Sequence, residues 1–333
     1  MQLLFRLTTV RARVFLMLVA LARTLAAQAP QPPQGKPAGT TERGVMVRVA
    51  QIYLSPDTSS EKLAQIERGR EVAVLERGSG QWLHVLATLK EDRELGDKDV
   101  TGWMLDKGVI RASTPNGDRI VFGEAVNSEA EASRRGGRKG ADRDAMRLYY
   151  RTWEYFPNSP VAGEALYRAA DIRWQLDRAD VMGRPSARRS SDPNERFGMD
   201  EEWLRQVMKK FPRTRWADLA AFDLIDNKLC GDWQGLSKCP QREADTYEKY
   251  AEEHPQSPKL QEALYEAARR RAALIELYKT EGQTSKSGEA RQKALSLAQR
   301  IIAANPQSDW AMRAQCLAYM VEQQIPVYGN AVD

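Results

Sequence analysis

Phe156-Pro157-Asn158-Ser159-Pro160, followed by Glu164-Ala165-Leu166-Tyr167, is the stretch that decides the fold of this chain. The same pattern, a Pro-x-Ser/Thr turn with an alanine eight positions after the proline, recurs through the last two thirds of the sequence. The four copies begin at Pro157, Pro212, Pro255 and Pro306. Recurrence at intervals of 55, 43 and 51 residues is typical of a helical repeat array. Because such arrays mostly bind partners, the pattern says more about architecture than about chemistry.

Each turn is predicted to end one helix and to begin the next. The proline disfavours helical geometry in the residue before it, and the Ser or Thr two positions later is a good N-cap. Pro160 and Pro258 suit a first helical turn, because the N–H that proline lacks would be unpaired there anyway. Apolar residues at three- and four-residue spacing predict helices between the turns. The eight predicted helices lie at about 141–156, 160–178, 200–211, 215–229, 241–253, 258–279, 287–304 and 309–324.

Period-two alternation replaces the helical period between about residues 44 and 112. Val45, Val47 and Val49 alternate with other residues, and further short apolar runs lie at 72–75, 82–86 and 102–105. Gly, Pro and Ser residues between these runs predict turns. Several short strands within about 70 residues indicate a small all-β barrel.

The ordered segments of this region resemble a bacterial SH3 domain. They are Ile52–Pro56, Ile66–Gly69, Trp82–Val85 and Gly102–Met104. The resemblance implies a binding module with cell-wall peptide (peptidoglycan) as the candidate ligand and with Tyr53, Trp82 and Trp103 as candidate contact residues. Tyr53 stands where the family usually has Arg, and a charged insertion from Lys90 to Asp99 separates the last two strands.

The helical part resembles the tetratricopeptide repeats of exported bacterial proteins, such as outer-membrane assembly lipoproteins and Tol–Pal-associated coordinators of cell division. Two copies carry the shared turn and Glu-Ala-Leu-Tyr in good form, at 156–167 and 254–265. The resemblance implies an all-α solenoid that binds an envelope protein or peptide. Trp216 and Trp310 each follow their proline by four residues. They are predicted to pack between repeats or, alternatively, to line a binding groove.

Three cysteines are present, and two of them flank a polar loop of eight residues. A disulfide between Cys230 and Cys239 is the prediction for an exported chain. A metal site is the alternative, but no His or second Cys pair lies near them in the sequence. Cys316 lies in an Ala-rich helix and is predicted to be a packed core residue.

The first 29 residues are predicted to form a secretory signal peptide. Arg6, Arg11 and Arg13 precede an apolar run of nine residues, and small residues follow at Ala26, Ala27 and Ala29, as in cleaved signals. The run is shorter than the roughly 20 residues that span a bilayer. An uncleaved anchor is the alternative. We therefore expect a periplasmic or secreted protein with no stable membrane anchor once the signal is removed.

Composition predicts two linkers between these parts. The segment after the signal is rich in Pro and Gln, and Asn127–Gly140 is rich in Gly and charged residues, so neither can bury a core. The expected fold is thus a small all-β SH3-type barrel followed by an all-α tetratricopeptide-like solenoid. The expected order is signal peptide 1–29, disordered linker 30–43, SH3-like barrel 44–125, flexible linker 126–140 and solenoid 141–326.

Charge and missing motifs argue against two classes of function. Four arginines and no acids lie in the predicted signal, so its removal lowers the formal net charge from +5 to +1, and a near-neutral chain lacks the footprint of nucleic-acid binding. The sequence has two histidines, His84 and His254, no evident His–Cys pair of the kind a cell-wall amidase needs, and no Gly-rich phosphate loop. We expect a non-enzymatic scaffold with no cofactor and no metal. A peptidoglycan-targeted cell-wall enzyme or its regulator is the alternative, and a structural wall-associated protein is a third possibility.

Overall fold

The protein combines a β-sheet with a helical region. The structure is a computed structural model that describes residues 42–90, 97–183, 198–230 and 233–328. The predicted signal peptide and nearly all of the first predicted linker lie outside the described residues. The strands are β1 (Glu42–Met46), β2 (Ala50–Tyr53), β3 (Lys62–Ile66), β4 (Glu71–Arg77), β5 (Trp82–Lys90), β6 (Asp97–Leu105) and β7 (Val109–Ile110).

All strand pairings in the sheet are antiparallel, in the order β3-β2-β6-β5-β4-β1-β7. The central hairpin pairs β5 with β6, from Trp82 opposite Leu105 to Lys90 opposite Asp97. Because alternate side chains of a strand point to the same face, the period-two pattern buries one face of the sheet. Its core includes Met46, Ile52, Ile66, Val72, Val85 and Met104. The prediction of an all-β N-terminal part is confirmed at this level.

Nine α-helices follow in the described part of the chain. They are α1 (Gly117–Ser133), α2 (Ala141–Tyr155), α3 (Ala162–Gly183), α4 (Glu202–Lys210), α5 (Arg215–Asp223), α6 (Lys238–Glu253), α7 (Leu260–Thr280), α8 (Thr284–Ala304) and α9 (Asp309–Glu322). A short 3₁₀ turn, Leu224–Lys228, continues α5. Most helices pack on the next one in the chain, and α3 also packs on α5, as α7 does on α9. None of the described helices has both the length and the apolar character needed to cross a membrane.

The structure differs from the predicted linker at 126–140. Helix α1 begins inside the predicted barrel segment and runs to Ser133. Its buried residues Val121 and Ala125, four positions apart, pack in one cluster with Leu148 of α2. The sequence prediction missed this helix because its few apolar residues are separated by charged ones. The Gly-rich segment that follows it forms only a short turn before α2.

The sheet and the first helices share a core. Val45 of β1 and Ile110 of β7 lie in the same buried cluster as Tyr149 of α2. At the turn between β3 and β4, Gly69 has a φ of +73°, and a Cβ there would lie 2.5 Å from the Cβ of Arg147. Arg147 also donates to the carbonyl oxygen of Arg68, at 3.1 Å. The predicted barrel and solenoid are therefore parts of one packed unit.

Two of the four repeat turns work as the sequence predicts. The Thr214 hydroxyl donates to the carbonyl oxygen of Phe211 at 2.7 Å, and it accepts from the backbone N–H of Ala217, in the first turn of α5. The Ser308 hydroxyl makes the same two contacts, with the carbonyl oxygen of Asn305 and the N–H of Ala311. One side chain thus closes the preceding helix and caps the next.

The two turns with a Ser-Pro pair differ from the prediction. Helices α3 and α7 begin at Ala162 and Leu260, three residues after the serine. Ser159 donates to Asp118 of α1 at 2.6 Å, and Ser257 hydrogen-bonds the Tyr250 hydroxyl at 2.6 Å. Each serine oxygen also accepts a backbone N–H of the turn that leads into the helix, from Val161 at 3.3 Å and from Lys259 at 3.0 Å. These serines therefore hold the entry turn and also contact a neighbouring element.

The predicted disulfide is present between Cys230 and Cys239. It lies beside the buried carboxylate of Glu243, which accepts from the N–H of Cys230 at 2.8 Å and pairs with Arg270 at 2.6 Å. The prediction for the third cysteine is wrong, because Cys316 is exposed on α9. The buried face of α9 carries Ala314 and Leu317, and Cys316 lies on the outer face of the helix.

The capping contacts can be tested by substitution. We expect Thr214→Ala and Ser308→Ala each to lower the free energy of unfolding by about 1 kcal/mol, because each leaves a helix N–H without its cap. Urea titration followed by circular dichroism measures the loss. The exposed neighbour Gln307 supplies the control, and an equal loss in Gln307→Ala would contradict the capping role.

Candidate functional site

A cleft of about 780 Å³ opens between α3, the end of α5 and its 3₁₀ turn, α6 and α7. Four aromatic side chains line it, namely Tyr167, Trp174, Phe222 and Tyr247. Five carboxylates line it as well, namely Asp171, Asp223, Asp226, Glu262 and Glu266. Two basic side chains, Arg178 and Lys259, complete the charged lining. The cleft is therefore acidic as well as aromatic.

The repeat motif itself turns these side chains inward. In Glu164-Ala165-Leu166-Tyr167, the alanine and the leucine are fully buried in the core, and the tyrosine faces the cleft. Asp171 and Trp174 follow at intervals of four and three residues, which places them on the same helical face. Glu262 and Glu266 of α7 share a face for the same reason.

Three of the five carboxylates have a basic partner. Glu262 pairs with Lys259 at 2.7 Å, Asp226 pairs with Arg178 at 3.4 Å, and Glu266 pairs with Arg270. These pairs neutralise the rim of the cleft on the α7 side and at the 3₁₀ turn.

The other two carboxylates have neutral partners. Asp171 accepts from the Gln175 side-chain amide at 2.9 Å, and Asp223 accepts from the Tyr167 hydroxyl at 3.1 Å. Within the described ranges neither of them forms an ion pair. The pKa of Asp223 is raised to about 7, mainly by burial and next by the nearby charge of Asp171, while the hydrogen bond from Tyr167 acts in the opposite direction. Burial also raises the pKa of Asp171.

A buried hydrogen-bond donor in the same cleft, the indole N–H of Trp174, has no acceptor among the described residues. Trp174 is 3% exposed and lines the cleft. Its indole Nε1–H can donate one hydrogen bond, yet it has no acceptor among the residues that the structure describes. Buried polar groups are nearly always hydrogen-bonded, so this N–H calls for an acceptor from outside the chain.

A second aromatic group lies on the sheet, on the face opposite its core. We call it the sheet patch, and it consists of Tyr53, Trp82, His84 and Trp103. The Tyr53 and Trp82 rings meet edge to face at 5.7 Å, and the His84 ring stacks on Trp103 at 4.9 Å. Gly78 packs against Trp103, since a Cβ at Gly78 would lie 2.6 Å from its ring.

The structure thus brings together the three predicted site residues of the sheet. His84 was not among the predicted contact residues, although it lies opposite Trp103 across the β5–β6 pairing. The four rings are partly exposed, so they present an amphipathic surface. Rings of this kind contribute strongly to recognition surfaces.

The two predicted site residues of the helices pack between repeats. Trp216 stacks on Tyr167 at 5.8 Å, and Trp310 contacts Tyr265 at 5.5 Å. Both tyrosines come from the Glu-Ala-Leu-Tyr motif of the preceding repeat. Neither tryptophan lines the acidic cleft. The sequence predictions missed the cleft residues Asp171, Asp223 and Trp174, although a helical wheel of α3 would have placed two of them beside Tyr167.

His254, the second histidine of the chain, contacts a carboxylate and an aromatic ring of neighbouring helices. His254 Nδ1 lies 2.8 Å from an Asp218 carboxylate oxygen, and its ring stacks on Tyr250, so this histidine joins α5 to the end of α6. No group of three His, Cys, Asp or Glu side chains that could hold a metal ion occurs in the described ranges.

A larger cleft of about 1370 Å³ lies between the sheet and α2 to α4. Its lining is mainly charged, but opposite charges pair within it. Arg138 pairs with Asp144 at 2.6 Å, Arg147 pairs with Glu67 at 2.8 Å, and Arg43 pairs with Glu71. We interpret this network as part of the contact between sheet and helices.

Comparisons with known proteins leave the family open. No family model matches the sequence, and no curated protein matches it. Among solved structures, the designed assembly titled "DHF58 filament" is 15% identical, with a TM-score of 0.23, and the match covers 62% of this chain and 91% of that one. The de novo designed helical repeat protein DHR64 is 16% identical, with a TM-score of 0.18, and the match covers 63% and 95% of the two chains. Likenesses at these TM-scores carry no conclusion about fold or function.

The half-buried carboxyl group of Asp223 predicts a pH dependence of stability. The folded chain holds a proton on Asp223 up to about pH 7, whereas an ordinary Asp loses it near 3.8. The folded state therefore binds more protons in this range, and the free energy of unfolding falls as the pH rises from about 4 to 7. Asp223→Asn cannot ionise, so we expect it to be more stable than the parent at pH 8 by about 1–3 kcal/mol, with little difference at pH 4.

Urea unfolding at the two pH values measures this difference. Glu252→Gln is the control, because Glu252 is exposed on α6 and loses a charge without changing the cleft. A stability difference for Asp223→Asn that is the same at pH 4 and pH 8 would contradict the assignment.

Proposed function

We propose that this protein is a non-enzymatic adaptor of the bacterial cell envelope, and that its helical repeats, a tetratricopeptide-like solenoid, hold a protein or peptide segment. The observation that carries this proposal is the aromatic and acidic cleft between α3, α5, α6 and α7. Its volume falls in the range of roughly 300–1,000 Å³ that ligand sites occupy.

The architecture supports a binding role for this cleft. Its lining comes from successive helical pairs of the array, and repeat arrays use such inner surfaces to bind extended partners. The aromatic side chains supply apolar contact area, and the carboxylates give the surface a negative charge that can select a partner of complementary charge.

Export is the second part of the proposal. It is supported by the predicted signal peptide and by the disulfide between Cys230 and Cys239, since disulfides persist mainly in oxidising compartments. In this proposal the N-terminal sheet is an SH3-type barrel, and its sheet patch contacts a second ligand, with peptidoglycan as the candidate. The adaptor would then connect an envelope partner to the cell wall.

One observation favours a different class, a cell-wall hydrolase. Asp223, with a pKa near 7, lies close enough to Asp171 to feel its charge, and carboxyl pairs with separated pKa values serve as acid and base in glycoside hydrolysis. Release of soluble muropeptides from purified peptidoglycan by the parent protein, and loss of that release in Asp223→Asn, would favour this alternative over the adaptor.

Site-specific photo-crosslinking tests the helical part of the proposal. A photoreactive residue at Ala179, which is exposed at the cleft, is expected to capture a discrete envelope protein in intact cells. The matched position is Gln292, exposed on α8 and away from the cleft. The proposal fails if both positions capture the same set of proteins or if neither captures any.

Pelleting with purified peptidoglycan tests the sheet patch in the full-length protein. We expect Trp103→Ala to reduce the pelleted fraction severalfold, because Trp103 lies at the stacked centre of the patch. Leu75→Ala is the control, since Leu75 is an exposed apolar residue of β4 outside the patch. Equal pelleting of the parent and Trp103→Ala would contradict a role of the patch in binding the wall.

A further inference from the structure

We propose that the acidic cleft binds a basic residue of a peptide, a lysine or an arginine. The cationic group lies between Asp171 and Asp223, and a carbonyl oxygen of the same peptide accepts the hydrogen bond that Trp174 offers. This inference rests on the proposed function, because it names the chemistry of the segment that the helical repeats hold.

The charge pattern of the cleft leaves one place for a cation. Lys259, Arg178 and Arg270 already neutralise the three carboxylates at the rim. Asp171 and Asp223 have an amide and a phenol as hydrogen-bond partners, and the charge of Lys259 acts on both carboxylates without forming an ion pair with either in the described residues. Two carboxylates that are close together and partly withdrawn from water disfavour each other's ionisation. A bound cation reduces the repulsion between the two carboxylates, so the cleft favours a ligand that carries a positive charge.

The aromatic side chains of the cleft already stabilise cations. The Lys259 ammonium lies 5.2 Å from the centre of the Phe222 ring, and the Arg270 guanidinium lies 4.6 Å from the centre of the Tyr247 ring. Such contacts are favourable because the ring face carries negative electrostatic potential. Tyr167 adds a further aromatic ring to this part of the cleft, and its hydroxyl contacts Asp223.

The indole N–H of Trp174 favours a basic peptide over a simple cation as the ligand of the cleft. A metal ion or an alkylammonium ion offers no acceptor, so neither would use the buried indole N–H. A peptide carbonyl accepts such a hydrogen bond, and the length of a lysine or arginine side chain separates its charge from its own backbone. The unpartnered indole N–H of Trp174 and the neutral partners of Asp171 and Asp223 are independent observations, and a basic peptide segment satisfies both.

The test uses the full-length protein and three small probes. N-acetyl-lysine-N-methylamide carries both a cation and a carbonyl group, the norleucine analogue has a hydrogen atom in place of the ammonium, and n-butylammonium has the cation alone. Titration followed by ¹⁵N NMR measures the dissociation constants and the shift of the Trp174 indole N–H. We expect the lysine probe to bind about tenfold more tightly than the norleucine analogue. We also expect it to move the indole resonance downfield, whereas n-butylammonium leaves that resonance in place.

The double variant Asp171→Asn/Asp223→Asn keeps the size of both side chains and is expected to lose that tenfold preference. Glu252→Gln on the exposed side of α6 is the matched control and should keep it. Equal binding of the lysine and norleucine probes to the parent protein would overturn the inference without any variant. So would an unchanged preference in the folded double variant.

The failure of this inference differs from the failure of the proposed function. If the crosslink at Ala179 persists in the double variant while the probes show no preference for the cation, the adaptor role stands and the basic-residue assignment is wrong. If no crosslink forms at Ala179 in the parent protein, the adaptor role fails, and the probe titration still decides whether the cleft takes a cation.

Discussion

The stacking of Tyr167 on Trp216 is the contact on which the cleft depends. It holds α3 against α5, and Gly163 permits this approach, since a Cβ there would lie 3.0 Å from the Trp216 ring. The Tyr167 hydroxyl then reaches Asp223 across the same junction. The residues that pack α3 on α5 therefore also position Asp171 of α3 relative to Asp223 of α5. Tyr265 and Trp310 repeat the contact two repeats later, between the third and the fourth copies of the motif.

A single packed unit changes how the N-terminal sheet should be understood. The core that joins β1 and β7 to α1 and α2 fixes the sheet on the helical array instead of leaving it on a flexible connection. In an adaptor this matters, because a rigid connection sets the separation between two binding surfaces, whereas a flexible one sets only an effective concentration. The sheet patch and the acidic cleft are thereby parts of one body.

Much of the candidate chemistry could be predicted where it follows from local sequence. Tyr53, Trp82 and Trp103 were predicted because they lie in the segments that resemble a bacterial SH3 domain, and the structure brings them together on one face of the sheet. Asp171 and Asp223 were missed because they come from different repeats, and single carboxylates on helices are most often solvated. Their significance comes from burial, which no local pattern displays.

The sequence by itself determined where most helices begin and end, which cysteines pair and which residues alternate in the sheet. These features depend on backbone chemistry within a few residues, such as the Thr214 and Ser308 caps. The tertiary structure decided that α1 replaces a linker, that the sheet and helices share a core, and that five carboxylates meet in one cleft. Such outcomes depend on which distant surfaces exclude water from each other, and that is settled only when the whole chain packs.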